Sequence, residues 1–253
     1  MAIITADAAS RLLLSLSAVT AAVAVPMTQR CVGGACPTWP AAVHMEASLT
    51  NVACNTLQAG QPPTCVRGVG NATWDTLGNA SRPGKSLSHS TRTYSSSTPI
   101  PGQPPLVLDV ASVFWQDCTA HASWQELQMG PANASCIKFA KPCIHRYDPI
   151  SLALFACSGW TETPVAPRGR RYFSSNCNFA IVPMPGVQSS GSFDVWYKDG
   201  DEIPYKFTTN TTTVERVNGQ TVRMEVSETT VAKFTSNSPN PAVFRGHCTP
   251  DDQ

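Results

Sequence analysis

Charge is scarce in this chain. Only 14% of its 253 residues are Asp, Glu, Lys or Arg, and the formal net charge is +1. A protein so nearly neutral has no global field to draw it to nucleic acid or to an anionic membrane, so neither is an expected partner. Helix formers are also scarce, while Ser, Thr, Val and Asn abound and 21 prolines punctuate the chain. That argues against a helix bundle and for strands joined by ordered loops. After Val25 no apolar run reaches the roughly 20 residues of a spanning helix, so stable membrane insertion is not expected.

The motifs of common chemistries are missing too. There is no HExxH and no phosphate-cradling glycine loop. Gly186 and Gly191 do not have the spacing of a G-x-S-x-G elbow. A thiol nucleophile needs a free cysteine beside an oriented histidine base. The stretch CIHRYD sets His145 two residues from Cys143, but no third group is at hand to orient the ring. The plainer reading is a bridged cysteine beside a surface histidine. For zinc, Cys31-x4-Cys36 and Cys143-x-His145 are imperfect ligand pairs. The expectation is a non-enzymatic protein without catalytic residues or cofactors.

What is present points to export. Residues 12–25 read LLLSLSAVTAAVAV and end on Ala22-Val23-Ala24, a small-x-small cleavage pattern. A signal peptide over 1–24 is therefore expected, followed by a single domain over 25–253. Ten cysteines follow: Cys31, Cys36, Cys54, Cys65, Cys118, Cys136, Cys143, Cys157, Cys177 and Cys248. An even number in an exported chain implies disulfides, although spacing does not give their pairing. Asn71, Asn79, Asn133 and Asn210 stand in N-glycosylation sequons. The expected localisation is secreted and extracellular.

The strand signals are uneven along the chain. Val43, Met45, Ala47 and Leu49 alternate with His44, Glu46 and Ser48, which predicts a half-buried strand. Residues 60–105 are rich in Ser, Thr, Pro and Gly and read as a long loop region or as short strands with polar connections. PLVLDVASVFW, at 105–115, is strongly β-forming. DPISLALFAC fits a short helix begun by Asp148 and Pro149, or a strand; so short an apolar run does not decide by period alone.

The C-terminal third is plainest. SFDVWYKDGDEIPYKF, at 192–207, reads as strand, turn, strand, with Phe193, Val195, Tyr205 and Phe207 inward and Trp196 and Lys198 outward. Pro204 cannot donate to a ladder, so it belongs at an edge or at a strand's first residues. Asn218-Gly219 marks a second hairpin. Val222, Met224 and Val226 follow it, with Arg223 and Glu225 expected to face out. The whole predicts an antiparallel meander with one dry face.

This C-terminal pattern, an aromatic strand, an acidic turn, IPYKF, an Asn-Gly hairpin and KFTSNSPNPAVFRGHC, resembles that of ependymin-related and other LolA-like secreted proteins. WPAAVHMEASL is similar to their first strand. The resemblance covers about the last sixty residues and the first strand; the segment from Cys54 to Cys143 departs from it. It implies a mainly β fold with minor helix, in which curved antiparallel sheets form a half-open barrel or sandwich around an apolar cavity. It further implies binding of a lipid-like small molecule, the lining drawn from Val43, Met45, Phe193, Val195, Tyr205, Phe207, Val222, Met224 and Val226. The alternative is a structural or adhesive extracellular glycoprotein whose interior is filled, because alternating apolar residues are core more often than lining.

Two smaller features carry expectations of their own. Asp199, Asp201 and Glu202 offer hard oxygen ligands for weak calcium binding, but a hairpin turn with solvated carboxylates is the default reading, and the stretch lacks the length and distal Glu of an EF-hand loop. Arg168, Arg170 and Arg171 match an R-x-R-R convertase site; a solvated basic loop is the plainer reading.

Overall fold

The computed structural model describes residues 36–37, 39–56, 63–78, 86–100, 102–120, 122–130, 134–140, 148–166, 169–179, 187–198, 200–201, 203–215 and 221–245. Nearly all of them belong to one antiparallel sheet of twelve strands. The strands are β1 (Ala42–Asn55), β2 (Thr64–Leu77), β3 (Leu87–Ile100), β4 (Gln103–Asp117), β5 (Ala122–Met129) and β6 (Ser135–Ala140), then β7 (Cys157–Ser158), β8 (Thr161–Val165), β9 (Gly169–Asn178), β10 (Val187–Lys198), β11 (Pro204–Glu215) and β12 (Thr221–Thr235).

The spatial order is β6-β5-β4-β3-β2-β1-β12-β11-β10-β9-β7, with β8 also on β9. Two sequential meanders are thus joined where the first strand pairs with the last. Val52 lies opposite Val226 and Thr50 opposite Glu228 in that central seam. The sheet is curved and does not close, in keeping with the mainly β, half-open architecture expected from the sequence.

One helix, α1 (Pro149–Ala156), lies between the meanders in sequence. It follows β6, at one edge of the sheet, and precedes β7, at the other. It packs on the inner face. Asp148 caps it: its carboxylate accepts from Ser151 N at 2.8 Å and from Ser151 Oγ at 2.7 Å, while Pro149 occupies the first turn. Such a cap contributes about 1 kcal/mol. The sequence PISLALFA is apolar around the helix apart from Ser151, and Ile150, Ser151, Ala153 and Ala156 are buried while the remaining four residues are half-buried. Ile150, Ala153 and Ala156 are buried with Val43, Met45, Trp74, Val195 and Phe207 in a single cluster.

Register assigns every strand residue to a face. The inner face, against α1, carries Val43 and Met45; the outer face carries His44 and Glu46. Both located disulfides join residues directly opposite each other, Cys54 with Cys65 and Cys157 with Cys177. Cys36, Cys118 and Cys136 are bridged as well.

Two expectations are corrected here. The stretch 60–105 is not a loop region: β2 and β3 occupy it, each fourteen residues long. No apolar alternation betrays β3, because its inward residues include Ser88, Ser90 and Ser96, all buried. The glycines of β2 likewise serve a strand. A Cβ on Gly68 would fall 1.7 Å from the Tyr94 hydroxyl, so the ring lies where a side chain would be. The second correction concerns Arg170 and Arg171. They lie in β9, between β8 and β10, rather than in a loop, so a convertase would meet laddered backbone. Arg168 lies outside the described residues.

Candidate functional site

The inner face has two ends of unlike character. At the α1 end, Val43, Met45 and Val195 are 0% exposed and Phe193 and Phe207 are 3% exposed. Phe193 and Phe207 stack at 5.9 Å between centroids, and Trp160 meets Phe193 edge-on at 6.2 Å. Tyr172 and Tyr197 make a further edge contact at 5.6 Å. Burial first, then the neighbouring Tyr172, raises the Tyr197 phenol well above its ordinary value. The Arg92 guanidinium covers the Trp74 ring at 5.6 Å on the first-meander side. Five of the nine residues expected to line a cavity are therefore brought together, and they touch protein.

The other end is polar. Row by row the inner face there presents Ser227, Thr209, Asn51 and Gly68, then Glu225, Thr211 and Gly191, then Arg223, Thr213 and Ser189. Glu225 is held from two sides: Asn51 Nδ2 donates to it at 2.7 Å, and Arg223 donates from Nε at 3.0 Å and Nη2 at 2.7 Å. Burial, reinforced by the Glu225 charge, raises the Tyr94 phenol; Arg223 opposes it.

The remaining four expected lining residues are not in the core. Met224 and Val226 are 55% and 46% exposed on the outer face, and Val222 shares their phase. Arg223 and Glu225, expected to face out, face in. The physical reason is register. Val226 opposes Val52, which has the outward phase of His44, so the whole run takes that phase. Tyr205 sits half-buried at the irregularity where β11 slips against β10, next to Pro204, the first residue of its strand.

The outer face bears a chain of titratable groups across four strands. Asp75, on β2, lies between His44 Nδ1 at 2.7 Å and His89 Nδ1 at 3.3 Å. His44 Nε2 reaches Glu46 at 3.0 Å, and Lys233 Nζ donates to Glu46 at 2.8 Å. Burial would lower the His44 value, but hydrogen bonds to Glu46 and Asp75 win and raise it. Burial would raise Asp75, but hydrogen bonds from His89 and His44 win and lower it. His89 in turn lies 5.7 Å from the Trp115 ring. Nothing in the sequence pattern joined these residues, because they lie on four different strands.

The outer face also holds a shallow dish of about 580 Å³ over β2 to β5. Val69 and Asn71, Thr93 and Ser95, Asp109 and Ala111, and Gln128 form its rim and floor by register, with Gly130 at one end. The sequon Asn71 is exposed within it. Asn210, on β11, is exposed on the same face; Asn79 and Asn133 lie outside the described residues.

The acidic turn behaves as a turn. Gly200 takes a positive φ of 78°, and Asp201 N donates to Lys198 O at 3.1 Å. Arg170 donates to the Asp201 carbonyl at 3.1 Å. Asp199 and Glu202 lie outside the described residues. On the outer face, Arg171 pairs with Asp194 and stacks on Phe173 at 5.1 Å and Trp196 at 5.6 Å. Cys31, Cys143, His145 and Cys248 are also outside the described residues. No described helix is long and apolar enough to cross a membrane.

No family model matches the chain, and no curated protein matches it. Among solved structures it is similar to a β-barrel-like protein of a domain of unknown function, DUF1849, from Brucella abortus. The identity is 10% and the TM-score 0.28, over 78% of this chain and 98% of that one. A likeness that weak carries no argument, and the fold rests on the strand order itself.

Proposed function

We propose that the protein is a secreted, glycosylated, non-enzymatic module that works through the surface of its sheet, with a filled interior at the α1 end. It would be exported by the signal peptide over 1–24 and belong with the ependymin-related and LolA-like proteins it resembles. One observation carries the reading. Val43, Met45, Phe193, Val195 and Phe207, the best candidates for a ligand wall, are closed by α1 instead. The bridged state of all seven described cysteines supports the non-enzymatic part, since none of these offers a thiolate.

A second reading has one observation in its favour. A helix that is apolar apart from Ser151 can serve as a stand-in for an apolar ligand, so a carrier could bind lipid by displacing α1. The Cys157–Cys177 bridge, immediately after the helix, opposes that movement. Titration with a quenching fatty-acid probe separates the two, because Trp74 and Trp160 lie in the cluster. The filled module gives no saturable quenching of Trp emission. Saturable one-to-one quenching would overturn it in favour of the carrier.

A further inference from the structure

The dish on the outer face contains its own candidate occupant. Asn71 is part of its lining and stands in the sequon Asn71-Ala72-Thr73. Around it are Thr93, Ser95 and Gln128, whose side chains both donate and accept hydrogen bonds, and Asp109, whose carboxylate accepts. Val69, Val110 and Ala111 add apolar surface, which is the larger share of the lining. This lining has one carboxylate and no cationic side chain, which disfavours an anion, and its apolar surface beside neutral hydrogen-bonding groups suits the apolar face and hydroxyl edge of a sugar ring. The volume falls in the ~300–1,000 Å³ range of small-ligand sites. A sugar bonded to Asn71 would also sit there at high effective concentration, since attachment removes most of the cost of association.

We propose that the dish over β2 to β5 is the seat of the first sugars of an N-glycan on Asn71, held by Thr93, Ser95, Asp109 and Gln128. The seat rests on the glycoprotein reading above. Asn210 supplies the contrast within the same molecule. It lies on the same face, but its cross-strand neighbours are Val226 and Ser192, and it does not line this dish. A glycan on Asn210 stands free, whereas one on Asn71 is laid down.

The test uses the full chain secreted from eukaryotic cells. Glycopeptide mass spectrometry first reads occupancy at Asn71 and Asn210; an unmodified Asn71 overturns both the seat and that site's glycosylation. The folded protein is then exposed to a peptide-N-glycosidase, and release is followed site by site. The seat predicts release from Asn71 about tenfold slower than from Asn210. It also predicts that Asp109→Ala/Gln128→Ala brings the Asn71 rate close to that of Asn210, with an unchanged thermal midpoint. Thr93→Val is a milder variant, for use if the double change impairs folding, and should move the rate in the same direction. Equal rates in the parent protein, with both sites occupied, overturn the seat and leave the glycoprotein reading standing. A slow Asn71 that stays slow in the variants shows strand position alone and overturns it equally.

Discussion

Phe207 and Thr211 lie on the same strand, on the same face, four residues apart, yet they sit in different environments. Phe207 is stacked on Phe193 under α1, and Thr211 faces a half-open trough beside Glu225. The sheet is continuous between them; what changes is the cover. The helix closes one end, where Ile150, Ala153 and Ala156 join the core cluster. The other end is left to hydroxyl groups and to the Glu225 carboxylate held by Asn51 and Arg223. A curved sheet of this kind is therefore a packed domain at one end and a wet surface at the other.

Substitutions should divide along that line. Phe207→Ala should cost about 3–5 kcal/mol, the transfer and cavity loss of a buried aromatic. Thr211→Ala should stay within about 0.5 kcal/mol. Denaturant unfolding followed by Trp fluorescence checks both, and equal effects would break the comparison.

The packed end was legible and the polar end was not. Phe193, Val195, Phe207, Val43 and Met45 announce their face through strict alternation, and all five are buried as that pattern implies. β3 failed because its buried positions are serines, so a scan for apolar period passes over it. Val222, Met224 and Val226 misled for the opposite reason. They alternate as clearly as any core strand, but pairing with Val52 turns them outward, and register between the first and last strands is not written in either one. The acid–histidine chain of His44, Asp75 and His89 was out of reach for the same cause, since it exists only once β1, β2 and β3 are side by side. The helix was half-legible: its Asp-Pro start was visible, but its length left a strand equally open.

The disulfides sharpen the contrast. Each closes a short loop, with separations of 20 residues for Cys157–Cys177 and 11 for Cys54–Cys65, so chain entropy alone gives about 3 kcal/mol for either. The first is buried and ties the end of α1 to β9; the second lies at the open end. Replacing Cys157 and Cys177 together with Ala should lower the unfolding midpoint more than replacing Cys54 and Cys65, because only the first pair also leaves a cavity in the core. The reverse order would place the main core elsewhere.

A smaller effect is expected where the helix begins. Asp148→Ala removes the acceptor for two Ser151 donors and should cost about 1 kcal/mol. Hydrogen exchange should then quicken in 149–156 before it quickens in β2. Uniform acceleration would mean that α1 is not a local unit.

The smallest effect is in the pH response. His44 is held above its ordinary 6.5, so its contribution is complete below 6.5 and is lost as pH rises through the raised folded value. Asp75 is held below its ordinary 3.8, so its contribution is present above 3.8 and is lost as pH falls through the lowered value. Both act together between those two ordinary values. His44 is partly exposed, so screening should keep its share under about 1 kcal/mol. The thermal midpoint should decline slightly from pH 6 to pH 8, and His44→Gln should flatten that decline. An unchanged slope in the variant would remove the acid–histidine chain from the account.

The filled interior is tested most directly by native mass spectrometry of the protein, with Phe207→Ala as the companion that opens space. The parent should show the mass of the chain with whatever covalent modifications it carries and no apolar adduct, even after incubation with a fatty acid. A stoichiometric fatty-acid adduct on the parent, as strong as or stronger than on Phe207→Ala, would show that the wall of Val43, Met45, Phe193, Val195 and Phe207 encloses a ligand rather than a helix, and would contradict the account.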